Sequence, residues 1–327
     1  MAIDKSLIAL KDNATAGFLN VVDPALISKA QDNATKIEFA RSIEFLDGKV
    51  SYVTPEDYGA VGDGVTNDAA AIQSALNSGL PLLIPQNTYL ISATVSIPTG
   101  AFIFGYGFKS KLLTTSNITM LRITQALDVA NITIESIQLS GNRVGNAQKG
   151  LVCSGGGSGL NNYHIKVSKC DFNNFAFAVE VGSSGFSNYK SVMILQQCIF
   201  FNNFSGFLAQ TRGEYNLIDN CSFNQNDFGV NFFQGGNNSM VGGQITNGGV
   251  GFQVTSGTNN GHAQCVGVKI NHNTVNVQAD LVSLNYLFSA CMFYVGKILI
   301  NGATGVRFDS CEFGTWELEI TNSNLTV

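Results

Sequence analysis

Charge is scarce in this chain. Only 13% of its 327 residues are Asp, Glu, Lys or Arg, and the formal net charge is -5. With no cluster of Lys and Arg to neutralise phosphates, this balance argues against a nucleic-acid surface. Histidine is scarcer still: His164, His262 and His272 recur at no metal-ligand spacing, so no metal or cofactor is predicted and the imidazoles are expected at the solvent. No apolar run is long enough to span a bilayer, so membrane insertion is not expected. The opening Met1-Ala2-Ile3-Asp4-Lys5 lacks the basic head and apolar stretch of a secretory signal. The seven cysteines include no Cys-x-x-Cys pair, and their number is odd. Reduced, buried apolar fillers are expected instead of a disulfide framework. Between Thr119 and Val327 there is no sustained 3.6-residue apolar stripe, which excludes helical repeats.

What is present is an echo. A Cys-x-Phe triplet or an apolar substitute returns every 20 to 28 residues: Cys170-Asp171-Phe172, Cys198-Ile199-Phe200, Cys221-Ser222-Phe223, Gly243-Gln244-Ile245, Val268-Lys269-Ile270, Cys291-Met292-Phe293 and Cys311-Glu312-Phe313. The third residue before each triplet is apolar every time (Val167, Leu195, Ile218, Met240, Cys265, Phe288, Phe308), and Ile134, Ile137 and Leu139 form an eighth copy. Such a period marks stacked units that bury their apolar faces only against one another.

Within each unit apolar and polar residues alternate, as in Ile165/Val167 and Val275/Val277, which is the period of half-buried strands. Asn142, Asn174, Asn203, Asn226, Asn247 and Asn273 follow the triplets. Asn tolerates the backbone of a sharp corner, and its amide can satisfy corner groups. Strand, corner, strand, loop and strand in each period describe an all-β, single-stranded parallel β-helix. Five cysteines then share one internal column. Rungs about 4.8 Å apart exceed the roughly 3.8 Å between the Cβ atoms of a disulfide.

Three regions follow. In residues 1–50, Asp23-Pro24 is a helix start and Asp47-Gly48 a stop, so a helix from Pro24 to Leu46 is expected in an attachment or oligomerisation segment. Residues 51–118 hold a Gly-rich loop, a helix carrying Ala71, Ile72, Ala75 and Leu76, and the first rungs. Residues 119–327 hold the repeats. The loop, Asp57-Tyr58-Gly59-Ala60-Val61-Gly62-Asp63-Gly64-Val65-Thr66-Asn67-Asp68, lacks the Gly-Lys-Ser/Thr ending of a phosphate loop. Its expected work is turning the chain and capping the helix.

This loop and helix, through Ala71-Ile72, resemble the N-terminal signature of the pectate-lyase-like family of right-handed β-helix proteins, Asp-Phe/Tyr-Gly-Ala-x-Gly-Asp-Gly-x-x-Asp-Asp-x-x-Ala-Ile. Asn67 replaces the first Asp of the pair. Leu82-Leu83-Ile84-Pro85, Thr88-Tyr89-Leu90-Ile91 and Ile103-Phe104-Gly105-Tyr106-Gly107 are similar to that family's opening rungs, so the resemblance covers about residues 55–320. It implies a right-handed solenoid. Many signal-less proteins of this kind are bacteriophage tailspikes and related tail proteins. The resemblance therefore implies a parallel homotrimer, joined to the tail or baseplate through residues 1–50, that binds, or binds and cleaves, a host surface polysaccharide. A structural or adaptor tail component and a cellular polysaccharide lyase or hydrolase are the alternatives.

Alternation places Glu180, Gln210, Asn231, Gln253 and Gln278 in one outward column beside Ala178, Leu208, Gly229, Gly251 and Asn276. Amides flanking a small-residue trough suit a neutral polysaccharide, because they give and accept hydrogen bonds with hydroxyls. A stabilising amide ladder is the alternative. Hydrolysis needs two carboxyl groups about 5 to 5.5 Å apart for retention or about 6.5 to 9.5 Å apart for inversion; Glu180 with Glu214, if the loop of the next rung folds back, is the candidate catalytic pair and Asp227 a further candidate, with solvated turn charges the alternative. Arg212, Tyr189 and Tyr215, in neighbouring loops, join the amides as binding candidates. Ile194, Leu217 and Leu287 form an outward apolar column expected to be a subunit interface. Asp309, Glu312, Glu317 and Glu319 on the terminal rung are expected to discourage end-to-end stacking, and Trp316 is placed either over that rung or against sugar.

Overall fold

A computed structural model describes residues 52–327 apart from 126–128, 146, 156–160, 183–189, 211–212, 234–235, 256–262, 281–285, 315, 322–323 and 327. The attachment segment and its expected helix lie outside the described residues, as does His262. Among the described residues all the strand pairs are parallel, each joined to its counterpart one circuit later, and they form one sheet of twenty strands and another of ten. The fold is a right-handed parallel β-helix. The ladder runs on from the opening rungs into the repeats, with Val95–Ser96 pairing to Leu121 and Arg122.

The triplets build the core. Phe172, Phe200, Phe223, Ile245, Ile270, Phe293 and Phe313 pair in unbroken register. All but Phe313 are buried. Phe172, Phe200 and Phe223 stack nearly flat, with centroids 5.0 and 4.4 Å apart. None of the seven cysteines is joined in a disulfide; six are buried and Cys311 is half-buried. The Cys198 thiol donates to the Val167 and Gln196 carbonyls at 3.5 Å. Burial holds the Cys170 and Cys265 thiols well above their ordinary pKa, as expected of inert fillers.

Each circuit turns on left-handed residues. Just before the triplets, Ser136, Lys169, Gln197, Asn220, Ala290 and Ser310 have φ between 49° and 57°, and Gly242 and Gly267 have 64° and 65°. A second corner uses Asn174, Asn202, Gln225, Asn247, His272 and Val295. Beside it, Asn203 and Asn226 are buried rungs of an amide ladder. Asn226 Oδ1 accepts from the Asn203 backbone and side-chain nitrogens at 3.0 and 2.9 Å, and its Nδ2 donates to the Phe200 carbonyl at 3.0 Å.

At the opening end, helix α1 (Ala69–Asn77) buries Ala71, Ile72, Ala75 and Leu76 over the first rungs. The preceding loop is tied internally. Buried Asp68 accepts from Val61 and Gly62 N–H at 2.8 and 3.2 Å, not from the helix, and Asp63 accepts from Val65 and Thr66 N–H at 2.8 and 2.7 Å. The Thr66 and Val65 amides hold the Asp63 carboxyl below its usual range. Among the described residues no helix is long and apolar enough to cross a membrane.

Candidate functional site

The ten-stranded sheet corrects the expected outward column. Glu180 pairs with Leu208, and the column continues through Asn231, Gln253 and Gln278. Gln210 lies two residues further along, so it is out of register. The small-residue trough is also absent from the surface. The ladder skips Ala178, Gly206, Gly229, Gly251 and Asn276, and all five are buried. This irregularity puts two consecutive residues, such as Ala178 and Val179, inside, and restores outward parity only at Glu180. A Cβ at Gly229 would lie 2.6 Å from an Ile245 methyl, so the glycine is there for interior clearance.

Glu180 itself is only 6% exposed, and its carboxylate accepts from Lys149 Nζ at 2.6 Å. Lys149 also lies 5.3 Å from the centroid of the Phe177 ring. Asp227 is bound to Arg143 at 2.7 Å, an ion pair reaching across the rungs past Asn202. Asp227 precedes by four residues Asn231, which occupies the Glu180 column two rungs away. Their backbones are therefore separated by about 13 Å along the strand and about 10 Å across it. Each carboxylate is held by its own cation, and Asp227, the further candidate beside the Glu180–Glu214 pair, is too far from Glu180 to act with it. Among the amides, Asn231 Nδ2 donates to Gln253 Oε1 at 2.7 Å and Gln278 Nε2 to Asp280 at 2.6 Å. Only the first of these joins two rungs, a single step of the ladder alternative; the second stays within one strand. Arg212 and Tyr189 lie outside the described residues.

The groups that do converge sit on the twenty-stranded sheet, in a cleft of about 360 Å³. Its side chains come from four successive rungs: Tyr215 from the first, Asn237, Asn238 and Ser239 from the second, Ala263 and Gln264 from the third, and Leu287 from the fourth. Register explains the convergence. Leu217 pairs with Ser239, Ser239 with Gln264, and Gln264 with Leu287, so the cleft runs about 14 Å along the solenoid. Gly213 admits the chain into this corner, since a Cβ there would lie 2.7 Å from the Val181 carbonyl. Its N–H donates to the Gln210 carbonyl at 2.8 Å. Glu214 follows half-buried, and Tyr215 adopts φ 59° and is 45% exposed. Asn238 is the fixed part: its Oδ1 accepts from the Asn216 backbone and side-chain nitrogens at 3.1 and 2.8 Å, and its Nδ2 donates to the Gly213 carbonyl at 3.0 Å.

Of the catalytic and binding candidates among the described residues, Tyr215 alone lines this cleft, with Glu214 its neighbour in the chain. Asn237, Ser239 and Gln264 were missed. They lie in the strand after each loop, whereas the amide argument concerned the strand before it. Leu287 belongs to the cleft, so Ser239 and Gln264 interrupt the expected apolar column. Ile194, Leu217 and Leu287 are all half-buried. Among the described residues, no three His, Cys, Asp or Glu side chains are grouped to hold a metal ion.

No protein-family model matches the chain. It is 30% identical over 123 residues to the pre-neck appendage protein of Bacillus phage phi29, covering 35% of this chain and 14% of that one. It is 33% identical over 102 residues to the tail spike protein of Shigella phage Sf6, with coverages of 28% and 16%. The enzymatically active domain of tailspike protein 2 from bacteriophage CBA120 superposes with a TM-score of 0.53 at 12% identity, covering 84% of this chain and 46% of that one. The chain shares its fold with bacteriophage tailspikes. It spans about one-seventh of the length of the curated phage relatives it matches. The tailspike likeness extends along the β-helix, whereas the sequence identity to these two phage relatives covers about a third of the chain.

Proposed function

We propose that the chain is a phage tail protein that binds a host-surface polysaccharide in the Tyr215 cleft. The carrying observation is the cleft's make-up: an exposed aromatic ring, uncharged hydrogen-bonding side chains and an apolar end, drawn out along several rungs. Aromatic faces pack against sugar rings while amides and hydroxyls pair with sugar hydroxyls. An elongated cleft of this volume accommodates a polymer segment. In this reading Glu214, adjoining Tyr215, is the first carboxylate to test for depolymerisation, ahead of the ion-paired Glu180 and Asp227. Gln210 positions the Glu214 turn through its carbonyl, and Asn231, Gln253 and Gln278 stiffen the opposite sheet. The protein assembles as a homotrimer in the virion, with residues 1–50 joining it to the tail or baseplate and Ile194 and Leu217 buried between subunits.

The test is binding and viscosity loss on capsular and lipopolysaccharide fractions, for the wild type and for Tyr215→Ala, Glu180→Gln, Glu214→Gln and Asp227→Asn. The reading expects binding that Tyr215→Ala weakens at least tenfold. Unchanged viscosity loss in all three carboxylate variants would remove them from catalysis. A second reading, a tail component with no sugar recognition, is favoured by the commitment of Glu180 and Asp227 to cations. It prevails if no fraction binds the wild type. Sedimentation of the wild type as a monomer would end the trimer assignment.

A further inference from the structure

Five cysteines open a triplet, and each of their thiols meets the same backbone group one circuit back. Cys170 Sγ donates to the Ile134 carbonyl at 3.7 Å, Cys198 to Val167 at 3.5 Å, Cys221 to Leu195 at 3.5 Å, Cys291 to Cys265 at 3.2 Å and Cys311 to Phe288 at 3.4 Å. The acceptor is always the apolar residue that stands third before the preceding triplet. In four circuits its side chain is a hydrocarbon. In the fifth it is Cys265, and the two sulfurs stand 3.9 Å apart. Rung spacing separates thiols that follow one another in the triplet file, but Cys265 is not in that file. It pairs across the rung with Phe288, and the chain passes from Phe288 round left-handed Ala290 to Cys291, which turns the Cys291 thiol back toward Cys265. Both residues are buried, each 1% exposed. Yet one triplet, Cys311-Glu312-Phe313, separates Cys291 from the closing end of the solenoid, and its Cys311 and Phe313 are half-buried. The hydrogen bond from Cys265, aided by the Val268 N–H, holds the Cys291 thiol below its ordinary pKa, while burial raises that of Cys265. Cys291 is therefore the sulfur of the pair that ionises first.

We propose that Cys265 and Cys291 are a peroxide-oxidisable pair that closes into a disulfide and staples the last circuits together. The Cys291 thiolate attacks hydrogen peroxide, its sulfur takes one oxygen as a sulfenic acid, and the O–O bond breaks to release hydroxide. Cys265 then gives up its proton and attacks the Cys291 sulfur, displacing the new hydroxyl group as water. The two thiols lose two electrons and two protons between them, and the peroxide becomes two waters. Bond formation closes a gap of about 1.9 Å between the sulfurs. Rotation of the Cys291 side chain off the Cys265 carbonyl, with a small shift of the final rungs, supplies that movement. The bond ties strand Ala263–Val266 diagonally to the turn before Met292–Tyr294.

The experiment treats the full chain with hydrogen peroxide, raised until Met292, 37% exposed, is converted to its sulfoxide, which shows that the oxidant has reached this circuit. The protein is then denatured in an alkylating agent and its peptides are mapped without reductant. Two of the seven thiols are expected to escape alkylation, with the Cys265 and Cys291 peptides joined. Dithiothreitol should restore both thiols, and the oxidised protein should unfold at a higher urea midpoint than the reduced one. Cys265→Ser should leave Cys291 as a sulfenic acid that dimedone traps, Cys291→Ser should leave Cys265 unmodified, and Cys198→Ser should form the staple as the wild type does. The wild-type peptide map decides the matter even where a variant fails to fold. The assignment falls if all seven thiols survive peroxide that has oxidised Met292, if Cys291 is oxidised without joining Cys265, or if it joins Cys311 or a second chain instead.

Discussion

Val295 is the residue most at odds with its own backbone. A β-branched side chain at φ 46° is strained, whereas Asn visits this region at little cost, as Asn174, Asn202 and Asn247 do at the equivalent corner. Val295→Asn is therefore expected to stabilise the protein by about 1 kcal/mol, read as a higher urea midpoint with an unchanged slope. Asp63 makes a second prediction at this scale. Its folded pKa lies below the usual 3.8, so the unfolded chain binds the proton more readily. The stabilisation is fully present above the unfolded value and is lost as pH falls through the folded one. Asp63→Asn should lower the thermal midpoint near neutrality, and the gap between variant and wild type should close as the pH falls through the lowered folded value. A gap independent of pH would show that the carboxylate charge is irrelevant.

At the scale of the rung, stability is a sum of contacts between neighbours, and the buried amide ladder fastens one corner to the next. Removing the Asn226 side chain takes the acceptor from the Asn203 backbone N–H and the Nδ2 donor from the Phe200 carbonyl, while the Asn203 side-chain amide keeps its bond to the Phe172 carbonyl, a cost of about 2 to 3 kcal/mol. Asn226→Ala should thus lower the denaturant midpoint. In hydrogen exchange, the loss of protection should centre on Cys198–Asn203 and Cys221–Asp227, with Asp63–Leu90 unaffected. Uniform loss along the chain would mean that the solenoid unfolds as a single unit. These elements also separate the legible from the illegible. The inward Phe and Cys files are readable because their spacing is the repeat itself. The left-handed residues Lys169, Gln197, Ala290 and Ser310 are not, because those residue types have no preference for that backbone and are held there by the rungs on either side. The same limit produced the misplaced trough, since one skipped residue at Ala178 breaks the period-two rule without leaving a mark in the composition.

At the scale of the molecule, the last described rung exposes what the others bury. Leu318 and Ile320, 37% and 42% exposed, continue the columns of fully buried Ile298 and Ile300. Exposed Asp309, Glu312, Glu317 and Glu319 accompany them, with Glu317 held by Lys297 at 3.0 Å. If this charge keeps such ends apart, Glu317→Gln with Glu319→Gln should raise the apparent mass in light scattering as concentration increases, and salt should do the same to the wild type. No change in either would remove these residues from that role.

The sequence by itself determined the period, the inward files, the capping helix and the reduced state of the cysteines, because each depends on spacing or on local backbone chemistry. Tertiary structure alone decided where a ligand could sit. Tyr215, Gln264 and Leu287 are far apart in the chain and meet only because the rungs pair in register. Glu180 and Asp227 look like free carboxylates until stacking brings Lys149 and Arg143 against them. Register between rungs is set by the packing of the whole stack, and a linear pattern does not contain it.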